Sequence, residues 1–147
     1  MPVAPDLRRT WLFGPGANVP ARTAMRDSGA DALIVDLEDF TPSALREAAR
    51  AELAALLASW HAAGRVSCVR INALDGDGPR DLAAAMAARA DVIAYPMAAT
   101  RESMVQLDAA IARRECELGI APGRTEILPV CETALGVVDV RVIASGS

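Results

Sequence analysis

Five short apolar segments, interleaved with longer amphipathic ones, leave this chain few ways to fold. They are "TWLFGPG" (10–16), "ALIVDLED" (32–39), "VSCVRINA" (66–73), "DVIAYPM" (91–97) and "EILPVCE" (126–132). Each is rich in β-branched residues, bounded by Gly, Pro or charge, and apolar along nearly its whole length, which reads as a short strand. Strands of that kind bury both faces, so they pair in parallel in a sheet covered by helices. The stretches between them carry helix signals. A first helix spans Pro20 to Ser28 and stops at Gly29. Thr41-Pro42 reads as the N-cap and first-turn Pro of "SALREAARAELAALLASW", with Leu45, Leu53, Leu56 and Leu57 on one face and Gly64 as the stop. Pro79 opens "PRDLAAAMAARA", and Thr100 caps "RESMVQLDAAIARRECEL" before Gly119. A last helix starts near Thr133 and runs to the end. Two α/β architectures compete: an open doubly wound sheet, and a (β/α)8 TIM-barrel type with about five βα units present, hence an incomplete barrel.

Composition narrows the class. The chain has 147 residues, half of them hydrophobic (52%), which is enough for one globular domain over 1–147. The net charge is −4 and there is no lysine, so no basic stripe exists to bind nucleic acid. Cys68, Cys116 and Cys131 show no CxxC spacing. Cys68 and Cys131 lie in apolar runs and read as reduced, buried thiols, against a disulfide framework or a zinc site. No run reaches the roughly 18 residues of a membrane helix, and "MPVAPDLRRTW" lacks an apolar signal region. The expectation is a cytoplasmic protein with no membrane partner.

In both architectures functional groups gather beyond the carboxyl ends of the strands. There stand "GPG" (14–16); Asp36, Glu38 and Asp39; Arg70, Asn72 and Asp75; Tyr95, Pro96 and Met97; and Glu132 with Thr133. Carboxylates converging with one Arg suit a hard cation and an anionic substrate. Mg2+ takes oxygen ligands, one or two of them protein carboxylates, and Arg presents a planar fork to a carboxylate or phosphate. An ion beside such an Arg can polarise a carbonyl and stabilise an enolate. Plainer readings stay open. "DLED" can be a helix-entry cluster favoured by the dipole, Arg70 a structural partner of Asp36 or Glu38, and Glu132 a first-turn helix acid. "GPG" lacks both GxGxxG and a Walker Lys. His61 reads as a solvated helix-end residue, and Asp75-Gly76-Asp77-Gly78 as a turn.

Taken in order, "RRTWLFGPGAN" (8–18), "GADALIVDLEDFTP" (29–42), "VRINALD" (69–75), "VIAYPMAAT" (92–100) and "LPVCETALGV" (128–137) resemble successive blocks of the citrate lyase beta-subunit-like CoA ester lyases, within the HpcH/HpaI aldolase/citrate lyase family. The resemblance covers nearly the whole chain, as the N-terminal part of such a protein. It implies a (β/α)8 barrel with Mg2+ at the C-terminal rim and cleavage of a 3-hydroxyacyl-CoA, of the citryl-CoA or malyl-CoA type, to acetyl-CoA and an α-keto acid. By this resemblance Arg70 holds the substrate carboxylate and Glu132 is a metal ligand. Glu38 and Asp39 support the Arg and the metal's waters, and Phe13 with "GPG" lines the acyl-CoA entrance. The pyruvate-type aldolases of the wider family show a Glu-His pair where this chain has Glu38-Asp39, which favours the CoA ester branch. Three positions depart from the pattern: Met97 follows Pro96 where a Lys is common, Leu135 stands in place of an Arg, and only Arg22 and Arg26 follow "GPG" where lysines meet the CoA phosphates. The second metal carboxylate, and an Asp supplied across a subunit interface, would lie past Ser147. A metal-dependent aldolase acting on free keto acids, or a non-catalytic fragment, are the alternatives. Free edges at the first and fifth strands lead us to expect pairing with another copy as a homo-oligomer, pairing with a missing half, or aggregation.

Overall fold

The structure, a computed structural model, describes residues 3–146. Five strands, β1 (Trp11–Pro15), β2 (Ala32–Asp36), β3 (Val66–Arg70), β4 (Val92–Tyr95) and β5 (Glu126–Pro129), form one parallel sheet whose spatial order is the chain order. That order decides between the two architectures. A doubly wound sheet reverses direction and sets non-consecutive strands side by side. Here each strand lies beside its predecessor throughout, which is the winding of a (β/α)8 barrel left incomplete, with β1 and β5 as its edges.

The strands alternate between two cores. Leu33, Val35, Val69, Ile93 and Tyr95 pack against α1 (Val19–Asp27), α2 (Arg46–Ala62), α3 (Gly78–Ala87) and α4 (Arg101–Leu118), meeting Met25, Leu53, Trp60, Met86 and Leu107 among others. The intervening residues, Ala32, Ile34, Val66, Cys68, Val92 and Ala94, form a second cluster on the opposite face. Side chains two apart share a face of a strand. Asp36 follows Ile34 and Arg70 follows Cys68 by two positions, so both belong to this second face, and they are register partners at the carboxyl ends of β2 and β3. Cys68 is fully buried there, and burial pushes its thiol pKa up, which keeps it an inert small hydrophobe.

Helix ends mostly follow the sequence signals. Gly64 and Gly119 take the left-handed conformation that stops α2 and α4 (φ 74° and 62°). The Thr100 and Thr133 side chains accept the N–H of Ser103 (3.2 Å) and Gly136 (2.9 Å). Three expectations are corrected. Thr41 caps no helix: its hydroxyl donates to the Asp36 carbonyl and accepts the Gly16 N–H (2.8 Å), tying the exit of β1 to that of β2. A 3-10 turn (Ser43–Leu45) intervenes, so α2 begins at Arg46 and buries Ala49, Leu53, Leu57 and Trp60, leaving Leu45 exposed. The last helix is broken at Asp139 into α5 (Ala134–Val138) and α6 (Val140–Ile143), where β-branched Val137, Val138, Val140 and Val142 lower helix propensity. No helix among the described residues is long and apolar enough to cross a membrane.

The entry to α3 is packed backbone to backbone. A Cβ at Gly78 would stand 2.4 Å from the Asn72 carbonyl oxygen and 2.5 Å from that of Ala73, neither of which can swing away. Gly78→Ala is expected to lower stability by about 1–3 kcal/mol, read from denaturant midpoints. Gly76→Ala, whose Cβ meets only the Ala73 oxygen at 3.7 Å, should change it little.

Candidate active site

At the carboxyl rim, Asp36 and Arg70 form a fork-to-fork ion pair. Arg70 Nε donates to Asp36 Oδ1 (3.0 Å) and Nη2 to Oδ2. The Asp36 side chain is fully buried and that of Arg70 is 7% exposed. The same carboxylate accepts the N–H of Glu38 (2.8 Å) and of Phe40 (3.2 Å), which curls residues 37–40 back over the guanidinium. Asp39 thereby reaches Arg70 Nη2 (3.1 Å), and Glu38 Oε2 comes within 3.1 Å of Nη1. The latter contact is misaligned: Glu38 Oε2 is buried and accepts no hydrogen bond. Two rings close the cluster, Phe13 at 5.2 Å and Phe40 at 5.9 Å from the guanidinium carbon, and they meet edge to face.

The curled loop is held from below as well. Asn72 Nδ2 donates to the Leu37 carbonyl (3.0 Å) and to the buried Asp81 (2.6 Å), which also takes Arg50 Nη1 (2.7 Å). Arg46 Nη2 donates to the Glu38 carbonyl (3.0 Å). Asn72 therefore supports the rim rather than facing it. Glu132 lies past the end of β5 on the same rim and is exposed; its Oε1 accepts the Met97 N–H at the exit of β4 (2.9 Å).

Charge is crowded here. Burial raises the Glu38 carboxyl pKa above its ordinary value; Arg70 opposes this, while the charges of Asp39, Glu132 and Asp36 add to it. Burial works against the Arg70 charge, but its hydrogen bonds with Asp36 and the three neighbouring carboxylates outweigh it and hold the guanidinium pKa above its ordinary value.

The structure thus brings Arg70, Glu38, Asp39 and Phe13 into one contact cluster, with Glu132 on the same rim. The reading of Arg70 as a structural partner of Asp36 or Glu38 is met by Asp36; sequence reasoning missed Phe40, Asp81 and Arg46, and nothing local marks Asp81. His61 is corrected. Its Nε2 lies 2.8 Å from Ser67 Oγ and 3.0 Å from Asp91 Oδ2 at the opposite end of the strands, because the turn at Gly64 lays the last turn of α2 against the start of β3. Arg22 is buried, donating to the Gly16 carbonyl (2.9 Å) and pairing with Glu52, and Arg26 pairs with Asp27.

Among the described residues no three His, Cys, Asp or Glu side chains are grouped to hold a metal. What the rim offers is two carboxylates, Glu132 and the donor-less Oε2 of Glu38. That set fits Mg2+, which keeps several waters and needs only one or two protein carboxylates.

Comparison with known proteins settles the kinship. The HpcH/HpaI aldolase/citrate lyase model matches residues 9–147. The chain belongs to this family. Citrate lyase subunit beta of Escherichia coli (strain K12) is 37% identical over 143 residues, 95% of this chain and 47% of that protein. That of Leuconostoc mesenteroides subsp. cremoris is 35% identical over 96% of this chain and 47% of its own length. The chain therefore spans about half the length of the curated relatives it matches. CitE from Mycobacterium tuberculosis, solved in complex with magnesium and acetoacetate, superimposes with a TM-score of 0.68 at 29% identity, over 97% of this chain and 53% of its own.

Removing Arg70 leaves Asp36 buried and uncompensated. Arg70→Met is expected to cost about 3–5 kcal/mol of stability, and Asp36→Asn combined with it less than the sum of the two single changes, by about 0.5–3 kcal/mol, in denaturant titrations. Glu38 behaves oppositely. Its folded pKa lies above the unfolded one, so its ionisation opposes folding once the pH has risen past both values. Glu38→Gln should be more stable than the parent at neutral pH and equal to it below the unfolded carboxylate pKa of about 4.3.

Proposed function

We propose that the chain forms the N-terminal part of a Mg2+-dependent carbon–carbon lyase that cleaves a 3-hydroxyacyl-CoA, of the citryl-CoA or malyl-CoA type, to acetyl-CoA and an α-keto acid. One observation carries the reading: a buried Arg, flanked by the edge-to-face rings of Phe13 and Phe40 and fixed by Asp36, shares a rim with Glu38 and Glu132. A CitE relative solved with magnesium and acetoacetate supports the pairing of this ion with a small acid.

In this reading Glu132 is the metal ligand and Arg70 orients the substrate carboxylate through Nη1, the nitrogen without an aligned acceptor. Asp36 and Asp39 hold the guanidinium still, and Glu38 and Asp39 would support the waters of a bound ion. Mg2+, when bound, supplies the Lewis acidity that polarises the substrate carbonyl. Phe13 and Phe40 wall the entrance and keep bulk water from the guanidinium, which strengthens every charge contact inside. We place the protein in the cytoplasm as a homo-oligomer; the edges of β1 and β5 are where the remaining units of the barrel, or a second copy, would pair.

A second reading, a metal-dependent aldolase acting on free keto acids, draws on Arg22 and Arg26. Both are engaged by Gly16, Glu52 and Asp27, which leaves the groove after "GPG" poor in cations for CoA phosphates. A full-length relative carrying these blocks separates the two. Mg2+-dependent thioester cleavage supports the lyase; pyruvate enolisation without thioester turnover favours the aldolase. The 147-residue chain alone is expected to sediment as an oligomer or an aggregate, bind Mg2+ weakly and show no turnover. A compact monomer that binds Mg2+ tightly and turns over at ordinary enzyme rates would overturn that expectation.

A further inference from the structure

Two non-glycine residues hold a positive φ among the described residues, and they differ in kind. Arg89 (φ 63°) follows the end of α3, where its N–H and that of Ala90 close the helix onto Met86 and Ala85; a left-handed residue is ordinary there. Met97 (φ 50°) follows β4 instead, ends no helix and is 56% exposed, so no burial of its side chain explains the strained backbone. What surrounds it does. On either side, the Ala98 N–H donates to the Val130 carbonyl (3.0 Å) and the Val130 N–H to the Tyr95 carbonyl (2.9 Å). Gly136 presses on the same turn, since a Cβ there would stand 2.3 Å from the Ala98 carbonyl oxygen. The turn is clamped between the exit of β5 and the start of α5. Held so, the Met97 N–H points to Glu132 Oε1 (2.9 Å).

We infer that Met97 is a positioning residue: its left-handed backbone aims an N–H at one oxygen of Glu132 and fixes the carboxylate so that Oε2 is left for a divalent cation. This rests on the reading of Glu132 as a metal ligand. The physical gain is preorganisation. A carboxylate on an exposed side chain otherwise loses rotamer freedom when the ion binds, whereas a hydrogen bond from the protein holds it beforehand. The device acts through the main chain, so the residue at 97 matters by its tolerance of positive φ and not by its side-chain chemistry. Gly and Asn keep the N–H and accept the conformation; Val and Ile keep the N–H and resist it.

The test uses the 147-residue chain and Mn2+, which takes the same oxygen donors as Mg2+ and is followed by water proton relaxation. Metal-free melting temperatures are recorded in parallel. Met97→Gly and Met97→Asn are expected to bind Mn2+ within twofold of the parent, with Met97→Gly melting a few °C higher as the strain is relieved. Met97→Val and Met97→Ile are expected to bind about tenfold more weakly. Equal affinity across the series overturns the inference, and so does an equal loss in Met97→Gly and Met97→Val, which would assign the effect to the side chain. Glu132→Gln separates this from the underlying reading. If Glu132→Gln binds Mn2+ as the parent does, Glu132 is no ligand and both fall. If it loses binding while the residue-97 series stays flat, only the inference about Met97 falls.

Discussion

Everything at the rim is arranged around one buried ion pair, Arg70 with Asp36. Their side chains are 7% and 0% exposed, in a place where either charge alone would be strongly destabilising. The pair is possible because adjacent parallel strands put the two residues in register at the same end and on the same face. Once Asp36 is fixed by the Arg fork, its remaining acceptor capacity captures the N–H of Glu38 and Phe40, and the loop has one shape. The positions of Asp39, Glu38 and Phe40 against the guanidinium are consequences of that single contact.

The charge balance that results is uneven. One guanidinium faces Asp36, Glu38 and Asp39, with Glu132 close enough to raise the Glu38 pKa further. Burial and like-charge repulsion together make Glu38 reluctant to ionise, and its Oε2 accepts no hydrogen bond. An added divalent cation would relieve both effects at once, which is the physical ground for proposing a metal at this rim. The support beneath is correspondingly heavy. Asn72 and Arg46 donate to the carbonyls of residues 37 and 38, and Asp81 and Arg50 fix Asn72 in turn, holding a loop whose own charges push it apart.

Much of this was legible in residue patterns. The strands at 32–36 and 66–70, the stops at Gly64 and Gly119, and the caps Thr100 and Thr133 all follow from local chemistry: apolar runs, absent Cβ atoms and short hydroxyl side chains next to free N–H groups. Thr41 looked identical to the other caps and is not one, because its hydroxyl found stronger partners in Gly16 and Asp36, far from it in sequence or reached only by a folded loop. The partners of His61, Ser67 and Asp91, were hidden for the same reason, being brought in by the turn at Gly64 and by the approach to β4. Asp81 and Phe40 carried no local mark, since their importance lies in contacts between elements.

The sequence by itself determined the repeated strand–helix units, the parallel sheet they require, and the end of that sheet at which charge collects, because hydrophobic period, capping and breaker residues act over a few positions. It also placed Arg70, Glu38, Asp39, Phe13 and Glu132 among the candidates. Only the tertiary structure decided that the winding never reverses, that Asp36 is the residue fused to Arg70, and that Met97 is bent into a left-handed turn facing Glu132. Strand order, register and strain are set by contacts between elements up to some 35 residues apart. No local propensity encodes them, since they exist only once the sheet has brought its carboxyl ends together.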